Sequence, residues 1–164
     1  MTIRFGILTL SDRYASGGRA DASGPALAEL IRAQNWPVAK QMILPDDESA
    51  IRATLVEWTD SGMVDVILTT GGTGFAPRDV TPEATRAVIE RDAPGLVESM
   101  RAESSKKTPH AMLSRAVAGI RGRTLIINLP GSPKGALENL QTILPVLPHA
   151  VQLLTDDPGS EASH

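Results

Sequence analysis

The run Val64 to Thr70, VDVILTT, is almost continuously apolar or β-branched and stops abruptly at Gly71-Gly72-Thr73-Gly74. A strand of this kind has no polar face to give to water, so it belongs inside a sheet covered on both sides. The rest of the chain supplies the covers. Ile3 to Leu10 reads as a first strand and Val38 to Leu44 as a second. Each is followed by a helical stripe: Leu27, Leu30 and Ile31 after the first, Ile51, Leu55 and Trp58 after the second. The segment RTLIINLPG is the last clear strand. From about Pro133, apolar residues recur by threes and fours through Leu137, Leu140, Leu144, Leu147, Val151 and Leu154, and Pro145 and Pro148 predict a kink or two short helices there. Helical breaks are expected near Pro94 and Pro109. This alternation predicts an α/β fold, a mostly parallel sheet with helices on both faces. With 164 residues, one domain over residues 1–155 is expected, with DDPGSEASH, 156–164, as a frayed tail.

In such sheets ligands sit beyond the carboxyl ends of the strands, which directs attention to the loops that follow them. The glycine loop can turn sharply and aim successive N–H groups at one anion. It is neither a Walker A loop, since no Gly-Lys-Ser/Thr follows, nor a G-x-G-x-x-G fingerprint. The plainer reading is a tight β–α turn. Arg78 and Asp79 follow, before Thr81, which reads as a helix N-cap with Pro82 at the first helical position and Glu83 in the first turn. Arg78 can fork onto a phosphate or a carboxylate. Asp79 can ligate Mg²⁺ or position a nucleophile. The alternative is a surface ion pair. After the second strand, Asp47 is read as the cap of the next helix, leaving Asp46 at the strand end. If the second and third strands are neighbours, Asp46 and Asp79 share one rim, and two carboxylates suit Mg²⁺ when phosphates complete its shell.

Further anion contacts are read in Ser23 and Gly24 at a helix start, and in Gly131 and Ser132 before the last helix. Capping and a proline-punctuated turn are the plainer accounts of these. His110, His149 and His164 lack metal-ligand spacing, and Ser114 has no neighbouring His or Asp to make a hydrolase triad. Composition narrows the classes. The formal net charge is −3 and aromatics are 3%, which argues against a nucleic-acid-binding face. There are no cysteines, so disulfides and thiolate chemistry are excluded. No apolar run approaches the ~18 residues of a membrane span, and a soluble cytoplasmic protein is expected.

The segments SDR, DASG, LPDDES, LTTGGTGFAPRDVTPEAT, PGLVESM, AMLSRAVAGIRG and LIINLPGSPKGALENL resemble, in order, those of the MogA/MoaB family of molybdenum-cofactor biosynthesis, which includes the G domain of gephyrin. The resemblance runs from about Ile3 to Leu154. It implies a three-layer α/β/α fold, a homotrimer and molybdopterin adenylyltransferase activity. ATP and molybdopterin would give adenylyl-molybdopterin and pyrophosphate, with Mg²⁺ as cofactor and a molybdenum insertase as the next partner. It implies that Asp46 and Asp79 are the essential acids and metal ligands. Gly71, Gly72, Thr73 and Gly74, with Arg78, Ser23 and Gly24, would contact the nucleotide and phosphates. Ser11, Asp12, Arg13, Ser114, Asn128, Pro130, Gly131 and Ser132 would line the pterin side. A non-catalytic trimeric molybdopterin carrier and an unrelated nucleotide-binding α/β protein are the competing readings.

Overall fold

The computed structural model describes residues 1–156; the segment from 157 to the end of the expected tail lies outside the described residues. The chain runs β1 (Phe5–Leu10), α1 (Asp12–Ala15), α2 (Ser23–Ala33), β2 (Val38–Leu44), α3 (Glu48–Asp60), β3 (Val66–Thr70), α4 (Thr81–Val88), β4 (Arg91–Asp92), α5 (Pro94–Ser105), β5 (Ala118–Arg121), β6 (Thr124–Leu129), α6 (Pro133–Ile143) and α7 (Leu147–Leu154). A 3₁₀ turn, Leu144–Val146, joins α6 to α7, the break that Pro145 and Pro148 predict. A second 3₁₀ turn, Pro109–Leu113, follows α5.

The sheet has six strands in the order β2-β1-β3-β6-β5-β4. The first four are parallel, and β5 runs antiparallel to both β6 and β4. Every residue of β1, β3 and β6 is buried, as the unbroken apolar run of β3 predicts. The pleat sorts these side chains to two cores. Phe5 and Ile7 of β1, Val66 and Leu68 of β3, and Leu125, Ile127 and Leu129 of β6 pack against α2, α5, α6 and α7. Leu8, Leu10, Ile67 and Ile126 face the other way, onto Ile51, Leu55 and Trp58 of α3 and Ala84 and Val88 of α4. The result is three layers.

Two expectations are corrected here. The strands β2 and β3 are not neighbours; β1 lies between them. The segment before RTLIINLPG also contains strand, since β5 forms a hairpin with β6 around Gly122 and pairs with the two-residue β4. Neither segment carries an apolar run: β5 is AGIR and β4 is RD, both too short and too mixed for periodicity to register.

Candidate functional site

Strand β3 delivers the glycine loop to the carboxyl rim. Gly71 and Gly72 adopt φ of +103° and +68°, values that favour glycine, and the chain reverses on them. The Gly71 N–H donates to the Leu129 carbonyl at 3.1 Å, fastening the loop to the end of β6. Thr81 is not an N-cap. It is the first residue of α4, fully buried, and its hydroxyl donates to the Gly71 carbonyl at 2.9 Å while its N–H donates to the Gly72 carbonyl at 3.2 Å. A buried carbonyl left without a donor costs more than an uncapped helix end, so the hydroxyl goes to the loop. Pro82 is therefore the second helical residue. Among the described residues no acceptor takes the N–H groups of Gly72, Thr73 or Gly74, and these remain for an anion.

Asp46 and Asp79 come together across β1. Both line a cavity of about 250 Å³ whose wall includes Gly71, Gly72 and Gly131. Ser11, Arg13 and Ser23 line the same cavity, with Thr70, Tyr14 and Arg19, which sequence reasoning missed. Asp47 caps α3 as expected, its Oδ1 accepting the Ala50 N–H at 2.8 Å, and this leaves Asp46 for the cavity. Asp12 and Asp46 exchange bonds: the Asp12 N–H donates to Asp46 Oδ2 at 3.1 Å, and the Asp46 N–H to Asp12 Oδ1 at 3.0 Å. Arg78 forks onto Asp12, Nε to Oδ2 and Nη2 to Oδ1, both at 2.9 Å. Arg78 thus takes the alternative read from the sequence, an exposed ion pair, with Asp12 as its partner.

The electrostatics of these acids differ. The Arg78 fork, with the Asp46 N–H, holds the Asp12 carboxyl below its ordinary range. Burial pushes the Asp46 carboxyl above its ordinary value; the Asp12 N–H opposes this, and the charges of Asp12 and Asp79 add to it. The folded chain therefore holds the Asp46 proton to higher pH than the unfolded chain does. The stability this contributes is complete below the unfolded value, about pH 4, and is lost as pH rises through the raised folded value. Asp46→Asn is accordingly expected to melt higher than the parent at pH 7.5. The gap should close in a series of thermal melts as pH falls toward about 4, the unfolded-state value. A gap that stays constant with pH would mean that ionisation of Asp46 is not what costs stability.

A second cavity, about 320 Å³ and mostly apolar, lies between α5, α6 and the 3₁₀ turn after α5. Thr73, Gly74, Ser114, Asn128, Pro130 and Ser132 line it, as do Val97, Met100 and Ala116. The glycine loop thus serves both cavities, Gly71 and Gly72 on the acidic side and Thr73 and Gly74 on the apolar side. Pro130-Gly131-Ser132 does the same from the end of β6. Ser11 and Arg13 stand with the first two glycines, and the other two stand with Ser114.

Several expected ligand groups are engaged within the fold. The Ser23 hydroxyl donates to the Gly131 carbonyl at 2.9 Å, and the Gly24 N–H donates to Asp21 Oδ1 at 3.1 Å. Asp21, whose Oδ2 also accepts the Thr9 hydroxyl at 2.7 Å, does the capping that was assigned to Ser23. Ser132 caps α6 through the Gly135 N–H at 3.1 Å. The Asn128 amide is spent on the fold. Its Nδ2 donates to the Thr69 and Thr85 hydroxyls, each at 2.9 Å, and its Oδ1 accepts the Val117 N–H at 3.0 Å. It ties β3, α4 and the β5 segment together behind the site.

Comparisons with known proteins agree with this fold. The family described as "Probable molybdopterin binding domain" matches residues 6–149. The Drosophila melanogaster molybdenum cofactor synthesis protein cinnamon is 50% identical across 95% of this chain, which spans only 26% of that relative. A Helicobacter pylori molybdopterin adenylyltransferase is 43% identical, covering 93% of this chain and 88% of its own length. The crystal structure of the molybdopterin biosynthesis enzyme MoaB from Thermus thermophilus superposes with a TM-score of 0.90 at 52% identity, over 96% of this chain and 99% of that one. Among the described residues no helix is long and apolar enough to cross a membrane. Matched in sequence and in fold along nearly its whole length, the chain belongs to the MogA/MoaB family of molybdopterin-binding domains of molybdenum cofactor biosynthesis.

Proposed function

We propose that the chain is a molybdopterin adenylyltransferase, joining the terminal phosphate of molybdopterin to the α-phosphorus of ATP. One observation carries the reading: a single glycine loop lines an acidic cavity on one side and an apolar cavity on the other. A planar ring system fits the apolar side, and phosphates meet the acids and N–H groups on the other. A phosphate oxygen of molybdopterin attacks Pα, the bond from Pα to the bridging oxygen of Pβ breaks, and pyrophosphate leaves with the electron pair. The nucleophile is already ionised, so no strong base is required. The task is to bring two polyanions into line. The Gly72 N–H receives a phosphate oxygen on the acidic side, and the Thr73 and Gly74 N–H groups meet the ligand from the other cavity. Arg78, exposed and, among the described residues, held by Asp12 alone, is within the same rim to add a guanidinium.

Mg²⁺ fits the donor set. Among the described residues no group of three or more His, Cys, Asp or Glu forms a ready-made cage. Asp46 and Asp79 offer hard oxygens in the number that Mg²⁺ takes when phosphates supply the rest. Bound there, Mg²⁺ would neutralise charge on the reacting phosphates. A molybdenum insertase would then consume the adenylylated product.

Incubating the purified protein with molybdopterin, Mg²⁺ and ATP is expected to yield adenylyl-molybdopterin and pyrophosphate, read by mass spectrometry and a pyrophosphate assay. Pterin binding with no product would make the chain a carrier. Nucleotide binding with no pterin binding would remove both pterin readings.

A further inference from the structure

The loop from Phe75 to Arg78 is exposed, and Phe75 itself is 68% exposed, so little apolar burial fixes its shape. Yet it carries Asp79 to the acidic cavity. Something polar has to hold it, and the side chain that does so lines neither cavity. The Arg115 Nε donates to the Gly74 carbonyl and its Nη2 to the Asp79 carbonyl, both at 2.8 Å. Its Nη1 donates to Glu83 Oε1 at 2.6 Å and Oε2 at 3.1 Å, and its own N–H donates to the Thr73 carbonyl at 2.8 Å. One planar guanidinium therefore bridges the first and last residues of the segment Gly74 to Asp79, with Glu83 in the first turn of α4 setting its plane.

We infer that Arg115 is a positioning residue for the adenylyl transfer proposed above, fixing the Asp79 carboxylate opposite Asp46 by closing this loop. The inference rests on that proposal for the reaction and on the hydrogen bonds alone for the loop. An ion pair as exposed as Arg115 with Glu83 contributes little stability by itself, so its geometry is the part with a function. Inside the closed segment the Ala76 N–H donates to Asp79 Oδ2 at 3.0 Å, and the Asp79 N–H to the Ala76 carbonyl at 2.9 Å. These bonds orient the carboxylate only while the ends of the loop are held. A lysine keeps the charge but has no fork and cannot span two carbonyls and a carboxylate at once.

Arg115→Met and Arg115→Lys test this, the second variant keeping the charge should the first fold poorly. Both are expected to lower kcat about 100-fold, the effect of a misplacement near 1 Å, with KM for molybdopterin changed less than about threefold. In an Asp79→Asn background the same changes should cost less than about threefold more, since the residue acts through Asp79. Full additivity, a loss carried by KM, or full activity of Arg115→Lys would overturn the inference. Hydrogen exchange gives a readout that needs no turnover. The Ala76 and Asp79 amides should exchange at least about tenfold faster in both variants, with sheet amides unchanged. Unchanged exchange there overturns the role of Arg115 whatever the reaction. A wild-type protein that makes no adenylylated pterin would remove the proposed function and leave the exchange result to decide Arg115.

Discussion

Asp79→Asn is expected to lower the rate of adenylyl-molybdopterin formation by about 10²–10³-fold, the scale set by removing one electrostatic contact from a transferring phosphoryl group. The substitution isolates charge from shape. In the folded chain Asp79 Oδ2 accepts the Ala76 N–H at 3.0 Å, and an asparagine oxygen can accept the same bond. Its main-chain carbonyl still meets Arg115, and its N–H still meets Ala76. The loop therefore keeps its course, and what disappears is one of the two negative charges on the cavity. If that charge holds a cation against the phosphates, the Mg²⁺ concentration for half-maximal rate rises along with the loss in kcat. Initial rates over a Mg²⁺ series at saturating ATP measure both. Normal turnover with normal Mg²⁺ dependence would leave Asp79 as a loop-shaping residue and remove the metal from it. Asp79→Ala is a poorer probe, because it also takes away the acceptor for Ala76 and loosens the loop.

What could be read from the chain, and what could not, follows from the range of the forces involved. Burial of β3 on both faces was legible because seven neighbouring side chains state it together. The Asp47 cap was legible because its partner, Ala50, is three residues away. A parallel sheet brings Asp46 and Asp79 to one rim whether or not their strands are neighbours. The strands that lead to them are separated by β1, yet parallel strands all end at the same edge, so the acids still meet. Thr81 was misread because a threonine before Pro-Glu looks like a cap. A carbonyl ten residues back in the chain claimed its hydroxyl. Arg115 was missed altogether, since its partners lie more than thirty residues away and nothing local distinguishes it from any other arginine. Gly122, a glycine with a φ of +58° between two arginines, is the local sign of the β5–β6 hairpin, but the four-residue strand before it is too short to reinforce that sign.

The glycine loop makes the most demanding test of the backbone. Gly71→Ala is expected to destabilise the fold by about 4 kcal/mol, combining left-handed strain with overpacking against a fixed neighbour. Gly122→Ala is expected to cost about 1 kcal/mol from strain alone. The comparison works because both residues have positive φ, +103° and +58°. They differ in their surroundings. A Cβ on Gly122 meets nothing within 4 Å, whereas one on Gly71 runs into the Leu10 carbonyl. That oxygen belongs to the end of β1, a fully buried interior strand, and cannot swing away like the tip of a surface side chain. Relief has to come from moving Gly71 itself. Doing so strains its bond to Leu129 and the hydroxyl bond from Thr81, both of which anchor the loop. At this chain length the melting temperature should fall by about 8–16 °C for Gly71→Ala and about 2–4 °C for Gly122→Ala. Transfer activity should survive in the second variant and drop sharply in the first, even below its melting temperature, because Gly72 and Asp46 sit on the same displaced wall. Equal shifts in the two melts would mean that φ alone sets the requirement. Unequal shifts show that the double glycine is there because the loop must press its backbone against the end of β1, which brings Gly72 and both acids to one cavity.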